Sequence, residues 1–287
     1  LDINQGLVQK LIDEQFPEWS HLPIKPVQYS GHDNRTYHLG DEMAVRLPSH
    51  PAYEPQVQKE AKWLPYLAQH LSLPITEPLV KGHPSPLFPL DWSINKWVKG
   101  ATLFHSEVHK QTIARELASF LSELYEIDAR EGPPAGTHNF YRGGNLSVYH
   151  EETQAALRKL KQDVHVDTCH EIWEQARSSH WNKSPVWIHG DVAPGNLIAS
   201  DGHLVGVIDF GTMGVGDPAS DLTIAWTYFN KDSRQIFKNA LQLDEDTWDR
   251  ARGWALWKAL ITFHDDNNTV KQFARSTYQA LLSDDKL

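Results

Sequence analysis

The chain has 287 residues and a formal net charge of −10 at pH 7, with 37 acidic against 27 basic side chains, which argues against nucleic acid as a partner and leaves a cationic small molecule open. Its single cysteine, Cys169, excludes an internal disulfide and a cysteine-only metal site and fits a reducing compartment. No apolar run has the length of a membrane span and no signal-peptide pattern stands at the N-terminus, so a cytoplasmic protein of one large domain or two lobes is expected.

In chain order, Ile3 to Phe16 has the spacing of a short amphipathic helix ended by Pro17. Strands are expected at 24–30, 35–39 and 42–47, the last two joined by Gly40-Asp41. The connection Tyr29-Ser-Gly-His-Asp-Asn-Arg-Thr36 reads by its own chemistry as an Asp-Asn turn. Gln56 to His70 is helical, with Pro65 expected to kink or shorten it. Strands at 77–81 and 91–97 follow. From about 105 the pattern turns helical, with Ile113, Leu117, Phe120, Leu121 and Leu124 on one face. A turn-rich patch from Glu131 to Gly144 interrupts the helices and reads equally as a substrate-side loop or a packed connector. Helices are expected at 148–162 and 165–180. After the segment discussed next, Asp217 and Pro218 form an N-cap with proline at the first helical position. Helices at 219–230, 232–241, 245–264 and 268–283 complete the chain. Trp226, Trp248, Trp254 and Trp257 fall there, and core packing is favoured over an aromatic cage for a quaternary ammonium. The 16 histidines include no pair at zinc-ligand spacing.

Two apolar runs, 196–199 and 204–208, flank Ser200-Asp201-Gly202, a strong hairpin signal. With a two-residue turn, Asn196 faces Val207, and period-two alternation puts Asp209 on the same face as Asn196. Both then stand at the open end of the hairpin, where the preceding loop carries Asp191. One amide and two carboxylates converging there suit a hard cation and a base that activates a nucleophile.

The pattern His189-Gly-Asp-x-x-x-x-Asn196 followed by Ile208-Asp-Phe-Gly211 resembles the aminoglycoside phosphotransferase family, which includes choline-kinase-like and macrolide-kinase-like enzymes. It is a variant of the protein-kinase catalytic loop and its metal-binding Asp-Phe-Gly. The resemblance implies an α+β, bilobal protein-kinase-like fold. Residues 1–99 would form a small nucleotide-binding lobe, a five-stranded antiparallel sheet with one main helix, and 100–287 a larger, mainly helical lobe. Asp191 would be the catalytic base, with Asn196 and Asp209 as Mg²⁺ ligands. Asp221 would brace the catalytic loop through its backbone, and His189 would support it by packing and hydrogen bonding. Ala193 stands where relatives often carry a second histidine. In Met43–Pro48, Arg46 takes the place of the phosphate-pairing lysine, and Glu60 matches the glutamate that orients it. Ser30, Gly31 and Asn34 lie in the segment that would cover the phosphates, which has one glycine and not three. Asn95 and Trp97 lie in the stretch where main-chain groups would bond the base, before a crossover at Val98-Lys-Gly100.

The implied reaction is phosphorylation of a small-molecule hydroxyl by ATP (or GTP) with Mg²⁺. Aminoglycoside-like, macrolide-like, amino-alcohol and sugar acceptors stay open. A nucleotide-binding pseudokinase is the alternative that Arg46 raises. A metal-dependent phosphohydrolase using His189, Asp191 and Asp209 is disfavoured, since two metals would need more ligands.

Overall fold

The computed structural model describes residues 2–28 and 33–284, and its chain divides into two compact units. The first is Leu1–Gly100 with Val205–Gly211, and the second is Ala101–Leu204 with Thr212–Leu287.

In the first unit, helix α1 (Gln5–Gln15) starts at Asn4, whose side chain accepts the Leu7 N–H at 3.0 Å. A five-stranded antiparallel sheet follows from β1 (Ile24–Pro26), β2 (Asn34–Leu39), β3 (Met43–Pro48), β4 (Pro78–Gly82) and β5 (Trp92–Lys96), ordered β1-β2-β3-β5-β4. Its core joins Val8, Leu11 and Ile12 of α1 to Tyr37, Leu39, Val45, Leu47, Trp92 and Ile94 of the strands. Side chains alternate along a strand. Ala44 and Arg46 of β3, with Ser93 and Asn95 opposite them on β5, therefore share the other face.

The main helix of this unit, α2 (Glu54–Ala68), buries Gln56, Val57, Glu60, Leu64 and Leu67 along one stripe. It runs through Pro65 and ends within a turn of it, at Ala68 and not at His70. A proline near the C-terminal end costs one intrahelical bond, which the buried stripe tolerates. Residues 205–211, placed above with the C-terminal lobe, group with the first unit. The Val207 N–H donates to the Pro74 carbonyl at 3.0 Å, and Ile75 and Val207 form a parallel bridge.

The second unit contains β6 (Ala101–Thr102), α3 (Lys110–Glu126), α4 (His150–Lys159), α5 (Val166–Arg177), β7 (Val186–Ile188) and β8 (Leu197–Ser200). It also contains the start of β9 (His203–Val207), then β10 (Gly214–Gly216), α6 (Ile224–Thr227), α7 (Lys231–Leu241), α8 (Glu245–Ile261) and α9 (Asn268–Leu282). Asp201 (φ 52°) and Gly202 (φ 82°), both left-handed as a type I′ turn requires, link β8 to β9. Helix α8 is buried nearly all round, by Trp248, Ala251, Trp254, Leu256, Trp257 and Leu260 among others, and packs against α4, α5 and α9. Trp226, Trp248, Trp254 and Trp257 are all core residues.

The helix expected at 219–230 is instead a 3-10 turn, Pro218–Thr223, followed by the short α6. Asp217 caps Ala219 N–H at 3.0 Å, and the fully buried Asp221 is tied to the backbone of residues 189 and 190, which fixes the chain in the tighter turn. Among the described residues, no helix is long and apolar enough to cross a membrane.

Candidate active site

The first unit assembles a charge cluster on the face of the sheet away from α1. β3 holds Arg46 between Thr36 and Ser93 in the strand ladder. Its NH1 donates to Glu60 Oε2 at 3.0 Å and Oε1 at 3.2 Å, and its NH2 to Asp209 Oδ1 at 2.9 Å. Burial opposes the Arg46 charge, but the Glu60 and Asp209 carboxylates outweigh it and hold the guanidinium above its ordinary pKa. Burial raises the Glu60 carboxyl, Arg46 draws it back, and the Asp209 charge adds to the rise, leaving it above the usual range. Asp209 itself adopts φ 63°, a left-handed conformation uncommon outside glycine. Gln56 of α2 stands beside Gly211 with its Oε1 buried and unpartnered.

Of the other residues expected on the nucleotide side, Asn34, Asn95 and Trp97 lie in or beside strands of the sheet. Asn34 opens β2, buried and in register with Pro48. Asn95 is 1% exposed, and neither its Oδ1 nor its Nδ2 has a partner. The Trp97 N–H donates to the Glu42 carbonyl at 2.8 Å and its ring lies against His38. The Lys96 N–H is likewise taken by Glu77 O, so base recognition through either of these N–H groups would need that bond to break. Ser30 and Gly31 lie outside the described residues.

The second unit brings together the residues expected in the catalytic loop. β7 pairs antiparallel with β10, Ile188 opposite Gly214, and delivers His189-Gly190-Asp191 at its end. Asp221 accepts two backbone hydrogen bonds there, from His189 N–H at 3.0 Å and Gly190 N–H at 2.7 Å. Burial pushes the Asp221 carboxyl up to about 6, against the pull of His189 and the two N–H donors. His189 is fully buried, and its Nδ1 accepts the Asp191 N–H at 3.1 Å. Gly190 holds φ 84°, and a Cβ there would lie 2.4 Å from the Thr212 carbonyl, so only glycine fits the bend. The turn Pro194–Asn196 brings Asn196 back, and its Nδ2 donates to Asp191 O at 2.9 Å and Oδ2 at 3.0 Å. Asp191 is exposed while its surroundings are fixed, and a carboxylate so placed has the chemistry to accept a proton from a ligand.

The amide oxygen of Asn196 and the carboxylate of Asp209 are hard donors of the type Mg²⁺ takes. Among the described residues, no group of three or more His, Cys, Asp or Glu could hold a metal. Each is a single oxygen donor in its own unit, and Mg²⁺ commonly keeps waters and phosphate oxygens around one or two protein ligands.

The phosphotransferase enzyme family matches residues 24–254. The chain belongs to that family. An Escherichia coli aminoglycoside 3'-phosphotransferase is 26% identical over 189 residues, 61% of this chain and 64% of the relative. Another from Escherichia coli is 33% identical over 73 residues, 25% of this chain and 27% of the relative. The chain thus spans less than two thirds of the length of these curated relatives. The GDP and kanamycin complex of APH(2")-IIIa superposes with a TM-score of 0.71 at 17% identity, covering 96% of this chain and 97% of that one. The macrolide 2'-phosphotransferase MphH of Brachybacterium faecium gives 0.62 at 17%, over 98% and 99%. The fold is the α+β, protein-kinase-like one of these phosphotransferases, with a five-stranded antiparallel sheet and a mainly helical second part.

Sequence reasoning passed over Arg142, which donates from Nε to the Gly190 carbonyl at 3.2 Å, next to Asp191. The only signal was its place in the turn-rich patch 131–144. Nothing in spacing alone reveals that a loop some fifty positions upstream packs on the catalytic segment.

Proposed function

We propose that this member of the phosphotransferase family transfers a phosphoryl group from a Mg²⁺-bound nucleoside triphosphate, ATP or GTP, to a hydroxyl of a small molecule. The observation that carries the reading is the Arg46–Glu60–Asp209 cluster. A residue in the place of the usual lysine keeps its glutamate and also grips the Asp-Phe-Gly aspartate, an arrangement with no purpose in a decayed nucleotide site. Arg is permanently charged, and its planar fork can bind phosphate oxygens in two bonds.

In this reading Asp191 accepts or orients the proton of the acceptor hydroxyl, held by Asn196 and by the backbone bonds of its loop. Asp221 fixes the bend at His189-Gly190, so that Asp191 presents its carboxylate without rearrangement. Asp209 and Asn196 are the residues that would each offer an oxygen to Mg²⁺, and the ion would supply positive charge against the phosphates. Arg46, oriented by Glu60, adds a second positive charge. Catalysis of this class rests on positioning and charge stabilisation, and these residues offer both.

A screen of hydroxyl metabolites and antibiotics for acceptor-stimulated ADP or GDP release tests the reading. Release that rises with one acceptor and is abolished in Asp191→Asn supports it. Nucleotide binding without any turnover would favour the pseudokinase, and release independent of every acceptor the hydrolase.

A further inference from the structure

The segment 131–144 is fixed and not slack. The Pro133 carbonyl accepts the Val215 N–H at 2.9 Å, and the Gly143 carbonyl accepts the Asp217 N–H at 2.8 Å. Asn139, fully buried, accepts the Gly136 N–H at 3.0 Å and donates to the Arg142 carbonyl at 2.9 Å. Phe140 and Tyr141 hold φ 52° and 56°, consecutive left-handed residues without glycine, a strain that persists only where surroundings over-determine it. Both residues stay exposed, at 45% and 36%, while Arg142 turns back onto the Gly190 carbonyl.

Arg142 is half-buried in an unusual setting. Its guanidinium lies 5.0 Å from the Trp254 ring centroid and 5.1 Å from that of Trp257, and Tyr149 stacks on Trp257 at 4.0 Å. Two of its bonds go to neutral carbonyls, those of Gly190 and Phe140, each at 3.2 Å. Among the described residues no carboxylate closes an ion pair with it. Burial lowers its pKa, and Asp191 is the principal charge opposing that. Lys258, exposed on α8, stands 5.9 Å from the Trp257 centroid and feels Arg142, Asp191, Glu152 and Asp265. Glu152 is already engaged, accepting the Trp257 Nε1–H at 2.7 Å. A desolvated guanidinium without a carboxylate mate is costly, and an arriving anion would relieve that cost.

We infer that Arg142 is the oxyanion anchor of the acceptor site, so that the acceptor carries a carboxylate or phosphate beside the hydroxyl it presents to Asp191. This rests on the phosphotransfer reading of Asp191. The guanidinium fork matches two oxygens of either group, and the exposed Tyr141 ring, set edge-on to Tyr149 with centroids 6.5 Å apart, offers an aromatic surface for the body of the molecule. A polyamine would instead bring ammonium groups against Arg142 and Lys258.

The test reads binding by the whole chain without nucleotide. In ¹⁵N-arginine-labelled protein, the Arg142 Nε–H resonance is assigned by its loss in Arg142→Lys. It is then followed with four matched sugars, glucose, glucosamine, glucuronate and glucose 6-phosphate, and with kanamycin, acetate and inorganic phosphate. The oxyanion-bearing compounds are expected to shift it and the neutral and cationic ones to leave it in place. Whether the carboxylates or the phosphates act at lower concentration separates the two sources. Arg142→Gln, shown to be folded by circular dichroism, should bind the effective oxyanion about tenfold or more weakly, as loss of a charged hydrogen-bond partner implies. No oxyanion shift up to about 50 mM, well beyond millimolar affinity, would overturn the inference. So would a larger shift with glucosamine or kanamycin, or a shift with MgATP alone, which would assign the guanidinium to the transferred phosphate. Failure of acceptor-stimulated nucleotide release would sink the phosphotransfer reading separately, because this titration involves no turnover.

Discussion

Arg46→Ala tests the charge cluster of the first unit by leaving two carboxylates without their cation. The Glu60 side chain is 6% exposed, so it cannot recover its hydration, whereas Asp209 at 38% can turn partly to water. Removing one partner of a buried pair costs about 3–5 kcal/mol, and the screening available to Asp209 places this case near the lower end, about 3 kcal/mol. The sign of its pH dependence follows from Glu60. Its folded-state pKa already lies above the ordinary value and must climb further without Arg46. A group raised on folding contributes stability at low pH that is lost as pH rises through the folded value. The deficit of Arg46→Ala should therefore be larger at pH 8 than at pH 5. Arg46→Ala/Glu60→Gln, which removes the stranded charge, should recover most of it. Urea unfolding of the three proteins at both pH values measures all of this. A loss below about 1 kcal/mol at pH 8, the range of exposed pairs, or an equal loss in the double variant, would refute the buried-cluster argument. In the kinetic assay Arg46→Ala should raise nucleotide KM and lower kcat together. Arg46→Lys should restore only part, since a point charge lacks the fork.

Asp191→Asn should cut kcat by at least about a hundredfold, the lower range for a general base, while nucleotide affinity measured by calorimetry stays near that of the parent; turnover near the parent's would remove Asp191 from the catalytic role. Asp221→Asn should replace one of two acceptor oxygens by a donor facing a backbone N–H, lowering kcat and abolishing an acidic limb near pH 6 that the parent's pH–rate profile should show; an unchanged limb would place its origin in another group. Gly190→Ala combines left-handed strain with a 2.4 Å contact on the Thr212 carbonyl, for an expected loss of about 2–4 kcal/mol by denaturant titration, and a loss within the error of the titration would contradict the close approach.

What the sequence disclosed and what it concealed follow from the range of the forces involved. Apolar spacing exposed the buried face of α3 at Ile113, Leu117, Phe120, Leu121 and Leu124, because a stripe of buried side chains is a local pattern, and the ranges expected for α7, α8 and α9 lie within a few residues of the observed ones. The Asp201-Gly202 turn was equally legible, since its backbone needs residues that tolerate positive φ. Asn4 as the cap of α1 was available in the same way but was passed over in favour of the earlier Ile3. The strands β6, β7 and β10, two or three residues each, carry no period long enough to detect. The 3-10 turn at Pro218–Thr223 was hidden for a different reason. Its helical residues obey local propensity, but a tertiary demand, the Asp221 carboxylate on the backbone of 189 and 190, overrides it. Among the site residues, the pairing of Arg46 with Glu60 followed from the resemblance to the kinase pattern, whereas the reach of Arg142 to Gly190 depends on the path of a loop with no repeating pattern.

Asp221 also shows how the second unit trades stability for a fixed bend at His189-Gly190. Its folded pKa of about 6 lies above the usual carboxylate value, so the native state holds a proton more tightly than the unfolded chain between about pH 4 and 6. Its contribution to stability therefore falls as pH rises through that window and stays low at neutral pH. An uncharged residue would fold at less cost, yet only the ionised carboxylate offers an acceptor oxygen to each of the two N–H groups flanking the His189-Gly190 bend. The bend in turn forces φ 84° at Gly190 and sets the direction in which Asp191 leaves the strand. The difference in stability between parent and Asp221→Asn should thus move in favour of the variant as pH rises from about 4 to 6, while activity moves in favour of the parent. Measured together on the same two proteins, opposite trends would identify a buried charge kept for positioning, and parallel trends would mean that the carboxylate serves the fold alone.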